Sequence, residues 1–413
     1  MRLLVTYRGL PWTYAEGYHL RVLHLFRRLA ARGHQVHLLA LVHDDEQERR
    51  LPETEAHGVF SSIRLLRMPR RNPLGRLRTN LGLAPVASFR SEYPGFPERV
   101  AAEVERLRTD LGLDAGYVFD PWADLLYGEV SGLPTLLDVC DCRSFFYERR
   151  LERGDLPLAQ RLRTRQLLHR FRAFETWMLR HYPVATVVSE ADREALLHLV
   201  PEARVEVIQN GVDLEMFRPS PEVTEEPGRL LLFGNMDFLP NVDAAVHFAR
   251  EILPRVRARV PEARFTVVGT NPLPEVRALA DEVEGVEVTG GVPDLVPWIQ
   301  RSTMLVAPMR FGAGIKNKVL ETLAMEKPVV TNATGAEALR PEVRELLRLA
   351  RDDDEFADHV VALLQDEEER RRLGRLGRER MQRFHSWDAA ADRYEELLSE
   401  LATGAVGSRV VTG

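Results

Sequence analysis

Cysteine is nearly absent from this sequence: Cys140 and Cys142 are the only two in 413 residues. A C-x-C pair lacks the further ligands of a structural zinc site and closes too small a loop for an easy disulfide, so reduced thiols in a cytosolic setting are expected. No run approaches the ~20 apolar residues that cross a bilayer. The opening MRLLVTYRGLPWTYAEG lacks the long apolar run and small-residue cleavage site of a secretion signal. The expected location is the cytoplasm, with peripheral contact at the inner face of the membrane left open. A net basic field is missing too. Lys and Arg number 56 against 62 Asp and Glu, a formal charge of -6, which argues against nucleic acid as a partner. The glycine pattern G-x-G-x-x-G is absent from the first strand–helix junction, where only Gly9 and Gly17 occur, which argues against nicotinamide or flavin chemistry.

What is present is ordinary globular composition, 45% hydrophobic and 29% charged, at a length that suits two or three domains. Apolar runs at Arg2 to Tyr7, Gln35 to Val42, Ala115 to Phe119, Pro134 to Val139 and Ala185 to Ser189 read as strands. Between the first two, Leu20, Val22, Leu23, Leu25, Phe26 and Leu29 form one helical stripe, and Gly33 is its expected C-cap. Residues 214 to 229, with three prolines and little apolar content, mark a linker. A second strand series follows at Leu230 to Gly234, Arg264 to Gly269, Val286 to Gly290, Thr303 to Pro308 and Lys327 to Asn332. A helical repeat from Ala245 to Val260 separates the first two, with Pro254 an expected kink.

The alternation predicts an α/β chain of two doubly wound parallel-sheet domains. Their expected bounds are 1–215 and 216–385, with a helix at 386–402 returning to the first domain and a flexible tail at 403–413. Such sheets bind ligands beyond the carboxyl ends of their strands, so a cleft between the domains is the default site.

The richest stretch is APMRFGAGIKNKVLETLAMEKPVVTN, Ala307 to Asn332. After a strand, Gly312 and Gly314 precede a helix expected from about Ile315 to Met325, and a glycine-led helix start presents N–H donors that suit phosphate. Lys316 and Lys318 fall in the expected first turn, where the macrodipole disfavours cations unless an anion is bound. Glu321, three residues beyond Lys318, is placed to accept hydrogen bonds from sugar hydroxyls. A solvated Lys/Glu helix pair is the alternative. Gly17 would admit a ligand close to the first helix start, or be an ordinary loop glycine.

These residues resemble the GT-B glycosyltransferases of the family-four retaining type, and most of all the bacterial group 1 sugar transferases of surface polysaccharide assembly. VVSEADREAL (Val187 to Leu196), VIQNGVDLEMFRP (Val207 to Pro219), LLLFGNMDFLPNVDA, VEVTGGVPDL and the Ala307 to Asn332 stretch are similar to family motifs, in order, from Val184 onward. The resemblance implies two Rossmann-like domains facing an interdomain cleft. It implies Glu321 on the donor ribose, and the segment Gly314, Ile315, Lys316, Asn317 and Lys318 on sugar and diphosphate. Gly17 would meet the diphosphate from the other domain, and Gly291 with Val292 the base. Family members commonly carry a Glu eight residues before the ribose Glu, where this chain has Ala313. Many place an Arg and a Lys after the donor domain's first strand, where Asn235 and Asn241 stand, so Arg310 and Lys318 are the expected compensating cations. Asn235 is kept as a donor-binding residue.

In LLDVCDCRSFF, Cys140 stands where the family often has a His beside the reacting sugar, and a thiol cannot copy a neutral imidazole without strong tuning. Asp120, Asp138 and Asp141 each follow an expected strand end; Asp141 is the first choice for orienting an acceptor hydroxyl or stabilising developing positive charge, with helix capping as the alternative. Ser61 to Arg90 holds seven arginines and no carboxylate, interleaved with leucines, and Arg143 to Arg180 is a second basic, aromatic region. Both suit anionic headgroups or a polyprenyl diphosphate.

The expected activity is retaining transfer of a hexosyl unit from a nucleotide diphosphate sugar, as co-substrate, to a lipid-linked or surface glycan precursor. No cofactor or metal is expected. The alternatives are an epimerase or hydrolase on the same fold, and a non-catalytic nucleotide-binding scaffold.

Overall fold

Parallel strands covered by helices are buried along their whole length and therefore read as unbroken apolar runs. The computed structural model describes residues 1–13, 17–80, 90–119, 132–152, 154, 156–312 and 314–404. Asp120, Ala313 and most of the expected tail lie outside the described residues. Contacts divide the chain into two compact units, Met1–Gln209 with Trp387–Gly413, and Asn210–Ser386. The change of unit falls just before the linker because Val212 and Phe217 already bury in the second unit's core.

The first unit holds a seven-stranded sheet in the order β3-β2-β1-β4-β5-β6-β7. Its strands are β1 (Arg2–Arg8), β2 (Gln35–Val42), β3 (Ser62–Arg67), β4 (Ala115–Phe119), β5 (Thr135–Cys140), β6 (Val184–Val187) and β7 (Val205–Val207). All neighbouring strands are parallel. The helix Gly17–Ala31 carries the apolar stripe inward, and Gly33 takes the positive φ expected of its cap.

The last helix, Trp387–Ala402, packs on the helix Gly17–Ala31 and on β4 and β5. Trp387, Tyr394, Leu397, Leu398 and Leu401 are buried in the same core as Leu3 and Val5. A polar knot ties these elements together. The Asp138 carboxylate on β5, fully buried, accepts from Arg21 Nε at 2.8 Å, Tyr117 OH at 2.6 Å and Tyr394 OH at 2.7 Å. Burial, then the Asp138 charge, pushes the Tyr117 phenol well above its usual range.

The second unit holds a six-stranded parallel sheet in the order β10-β9-β8-β11-β12-β13. These strands are β8 (Arg229–Phe233), β9 (Arg264–Val268), β10 (Val286–Gly290), β11 (Met304–Ala307), β12 (Val329–Asn332) and β13 (Arg348–Ala350). The helical repeat after β8 is a helix at Leu239–His247, a π-turn at Phe248–Ile252 and a helix at Leu253–Arg257. Proline removes an N–H and its ring crowds the carbonyl four residues back. Here the chain widens by one residue just before Pro254: the Leu253 N–H bonds Phe248 O, five residues back.

Candidate active site

In the second sheet the strand order reverses between β8 and β11, and the crevice beyond their carboxyl ends is where such a sheet receives ligand. β8 runs into Gly234, whose φ is 138°. A Cβ on Gly269, at the end of β9, would stand 1.7 Å from Gly234 O, so the two loops meet backbone to backbone.

β11 runs into Pro308, Gly312 (φ 136°) and Gly314 (φ 68°), and the helix then spans Asn317–Ala324. It starts two residues later than expected. Lys316 is its extended N-cap residue rather than part of the first turn, and among the described residues no side chain caps the helix start. The Lys316 Nζ instead donates to Gly314 O at 2.8 Å, bracing the glycine loop. The Asn317 side-chain oxygen accepts from Asn210 Nδ2 at 3.0 Å.

Lys318 is 8% exposed, and its ammonium donates to Asn241 Oδ1 on the helix Leu239–His247. Burial, reinforced by the Lys316 charge, draws the Lys318 ammonium down to about 7. Glu321 is half-buried, and burial lifts its carboxyl to about 7 against the pull of Lys318. Among the described residues no side chain hydrogen-bonds or ion-pairs with Glu321, so an acceptor stands half-buried without a protein partner.

Arg310, the other expected compensating cation, is paired with Asp243, its Nε 2.9 Å from Oδ2 and its Nη2 on Oδ1. Asn235 lines the β8 turn; its carbonyl takes the Asn241 amide at 2.9 Å. Gly291 is exposed and Val292 half-buried after β10, against Thr270 and the core respectively. The second sheet's strand ends therefore gather Asn235, Gly314 to Lys318 and Glu321.

In the first unit Gly17 is the first residue of its helix. Asp138 needs correcting as a candidate for the reacting centre, because its carboxylate is sealed among Arg21, Tyr117 and Tyr394. Asp141 is half-buried just beyond β5, in a turn that buried acids hold from within. Asp138 accepts the Cys140 N–H, Asp192 the Cys142 N–H at 2.9 Å, and Glu175 the N–H groups of Arg143 and Ser144 at 2.8 and 3.1 Å. Cys140 adopts φ 62°, and burial, then the Asp141 charge, pushes its thiol well above the usual range. It remains a thiol, with none of the tuning an imidazole substitute requires.

The sequence reading missed Asn241 as a partner of Lys318, and Asn210 as a partner of Asn317. Neither contact has a sequence signal, since each joins residues about a hundred positions apart or less by tertiary packing alone.

Residues 227–366 match the family described as glycosyl transferases group 1, and residues 16–211 the glycosyl transferase 4-like domain. A lipopolysaccharide core biosynthesis mannosyltransferase of Rhizobium leguminosarum bv. viciae is 32% identical over 210 residues, 46% of this chain and 55% of that enzyme. A GDP-mannose-dependent alpha-(1-6)-phosphatidylinositol monomannoside mannosyltransferase of Mycobacterium tuberculosis is 28% identical over 235 residues, 52% of this chain and 61% of that enzyme. The chain thus spans little more than half the length of these curated relatives. Among solved structures, Anabaena HepE in complex with UDP and glucose aligns over 97% of this chain and 100% of its own, with TM-score 0.66 and 14% identity. WaaG, a glycosyltransferase involved in lipopolysaccharide biosynthesis, aligns over 97% and 100%, with TM-score 0.63 and 14% identity. Two parallel doubly wound sheets with these neighbours define the GT-B class of fold. Within it, the chain belongs to the group 1 glycosyltransferases.

Proposed function

We propose that this glycosyltransferase moves a hexosyl unit, with retention of configuration, from a nucleotide diphosphate sugar to a lipid-linked or surface glycan precursor. The observation that carries the reading is the uncapped helix start at Asn317, with a buried ammonium at Lys318 and an unpartnered carboxylate at Glu321. The helix N–H groups and Lys318 suit a diphosphate, and Glu321 suits a pair of ribose hydroxyls. Negative charge grows on the diphosphate as the glycosidic bond breaks, so donors aimed there stabilise the transition state more than the bound donor. The leaving diphosphate is then placed to take the acceptor's proton. In the first unit Asp141 orients the acceptor.

The relatives' names support hexosyl transfer and lipid-borne acceptors, since they include mannosyltransferases of lipopolysaccharide core and of a phosphatidylinositol mannoside. Lys316, Lys318 and the helix start supply the positive field the diphosphate needs, so transfer is expected to persist in EDTA. Lys318→Ala is expected to raise donor KM or lower kcat at least about tenfold, ~1.4 kcal/mol of charge stabilisation. Steady-state kinetics with a radiolabelled donor would show it, and a change below twofold would remove Lys318 from this role. A thermal-shift panel of nucleotide sugars identifies the donor, because a ligand of the folded state raises Tm.

The membrane partner of this reading is narrower than the sequence suggested. Arg64 pairs with Glu103, Arg67 with Asp45, and Arg71 lies beside Glu92 and Tyr93. Phe171 is buried, and Phe145, Tyr147 and Trp177 pack on the first unit's core. Among the described residues of these two regions, the large apolar side chains left outside are Leu74 and Leu77 on the helix Pro73–Asn80, and Leu158 and Leu162 on the helix Leu158–His181, 55 to 73% exposed. Arg161 and Arg165 share the helical face of Leu158 and Leu162 at about 100° per residue, a basic, apolar face that suits anionic headgroups. Co-sedimentation with phosphatidylglycerol vesicles is expected, lost in phosphatidylcholine and reduced at least about fivefold by Leu158→Glu with Leu162→Glu. Equal binding to both lipids would remove the membrane from this reading.

A further inference from the structure

We propose that Asn241 is a positioning residue for the donor's diphosphate: its amide holds the Lys318 ammonium over the Gly234 turn without neutralising it. The inference rests on the donor site described above and assigns a further residue to it.

Lys318 is the second residue of its helix, where the macrodipole is unfavourable to a cation, and its side chain is almost wholly buried. A buried ammonium requires acceptors. Glu321 lies on the same helix but makes no ion pair with it, and the acceptor found is a neutral one, Asn241 Oδ1. The orientation of that amide follows from its neighbours. The Asn235 carbonyl can only accept, so the Asn241 NH2 must face it, at 2.9 Å; the ammonium can only donate, so the Asn241 oxygen must face it. Both ends of the amide are thus committed, one to the β8 turn and one to the lysine.

Gly234 makes the arrangement fit. A Cβ there would stand 2.8 Å from Asn241 Nδ2 and 3.6 Å from Lys318 Nζ. The lysine's charge is thereby brought from the helix after β11 to the end of β8, across the point where the strand order reverses. Two residues further along the same helix the chain treats a second cation in the opposite way. Asp243 takes Arg310 through both oxygens and cancels its charge. One helix therefore holds one cation with an amide, leaving its charge for a ligand, and another with a carboxylate, using it for structure. An acid at 241 would pair Lys318 as Asp243 pairs Arg310.

The test is calorimetric titration with UDP and GDP, and with the corresponding nucleosides, on the full chain. Lys318→Asn is expected to weaken binding of the preferred diphosphate at least about tenfold. Asn241→Asp, nearly isosteric, is expected to weaken it at least about thirtyfold, through repulsion and neutralisation, with nucleoside binding altered by less than about threefold. Because a buried acid can impair folding, the exchange variant Asn241→Lys with Lys318→Asn supplies the second arm. It returns an ammonium to the same place from the opposite helix and is expected to recover most of the affinity lost in Lys318→Asn alone. A merely structural Asn241 would lower diphosphate and nucleoside binding together and give no recovery, which would overturn the proposal. Loss on Lys318→Asn with full diphosphate affinity in Asn241→Asp would overturn it while leaving the donor site standing. Absence of diphosphate binding by the unaltered protein would overturn both.

Discussion

Glu321→Ala is expected to lower kcat/KM for nucleotide-sugar transfer at least about a hundredfold, ~2.7 kcal/mol, because two charge-assisted hydrogen bonds to the donor's ribose are lost together. The carboxylate stands half-buried with no protein partner, so the interactions removed are those with ligand. Glu321→Gln keeps one acceptor and the side chain's shape and is expected to fall between. A radiolabelled-donor assay reads both, and near-unchanged transfer in the alanine variant would reject the ribose role. The folded protein without donor should not suffer from either change.

That last point has a signature in pH. The folded state lifts Glu321 from 4.5 to about 7, so it binds that proton more tightly than the unfolded chain does, and this contribution to stability fades as pH rises through that window. Lys318 is drawn from 10.5 down to about 7, so the unfolded chain binds its proton more tightly, and stability from this group returns as pH rises above about 7. The two trends oppose on either side of neutrality. The unliganded protein is expected to show a shallow dip in Tm near pH 7, flattened in Glu321→Gln with Lys318→Met. Scanning calorimetry across pH 5 to 9 checks it, and an unchanged profile in the double variant would remove the pair as its cause.

The largest stability effect is expected from Asp138→Ala, about 3–5 kcal/mol, because it removes the carboxylate that faces the buried Arg21 guanidinium. The same change removes the acceptor of the Tyr117 hydroxyl, leaves Tyr394 with Arg21 and Thr186 alone, and takes away the Cys140 N–H acceptor at the turn that leads to Asp141. Tyr394→Phe removes a hydroxyl that donates to Asp138 and accepts from Arg21 Nη2, keeps the ion pair, and is expected to cost about 2 kcal/mol. Urea unfolding followed by circular dichroism separates the two, and equal midpoints would show that the knot does not act through its charge.

How far the sequence could be read follows from what each element is made of. β2 and β4 fall on the expected residues because strands inside a parallel sheet are continuous apolar runs; β10, an edge strand, was legible from its β-branched residues between turn signals. β3 alternates exposed and half-buried positions, and β7 and β13 have three residues each, so these edge strands left no comparable run. The glycine-led helix was legible, but its start was not: Ile315 and Lys316 suit a helix, and only the extended backbone at Lys316 delays it. Asp138 misled because a carboxylate at a strand end looks alike whether it faces ligand or is locked in by Arg21 and Tyr394, which lie far from it in the chain. Likewise nothing local tells that Asn241 reaches Lys318 while Asp243 takes Arg310.

The helix Trp387–Ala402 supplies Trp387 and Tyr394 to a core whose first strand begins at Arg2. During synthesis at about 5–20 residues per second, a ribosome would finish and release the entire second unit before delivering that closing segment. Until then the first unit would wait on the ribosome with Arg21, Asp138 and Tyr117 still lacking Tyr394, and with the apolar surface that this helix covers open to water.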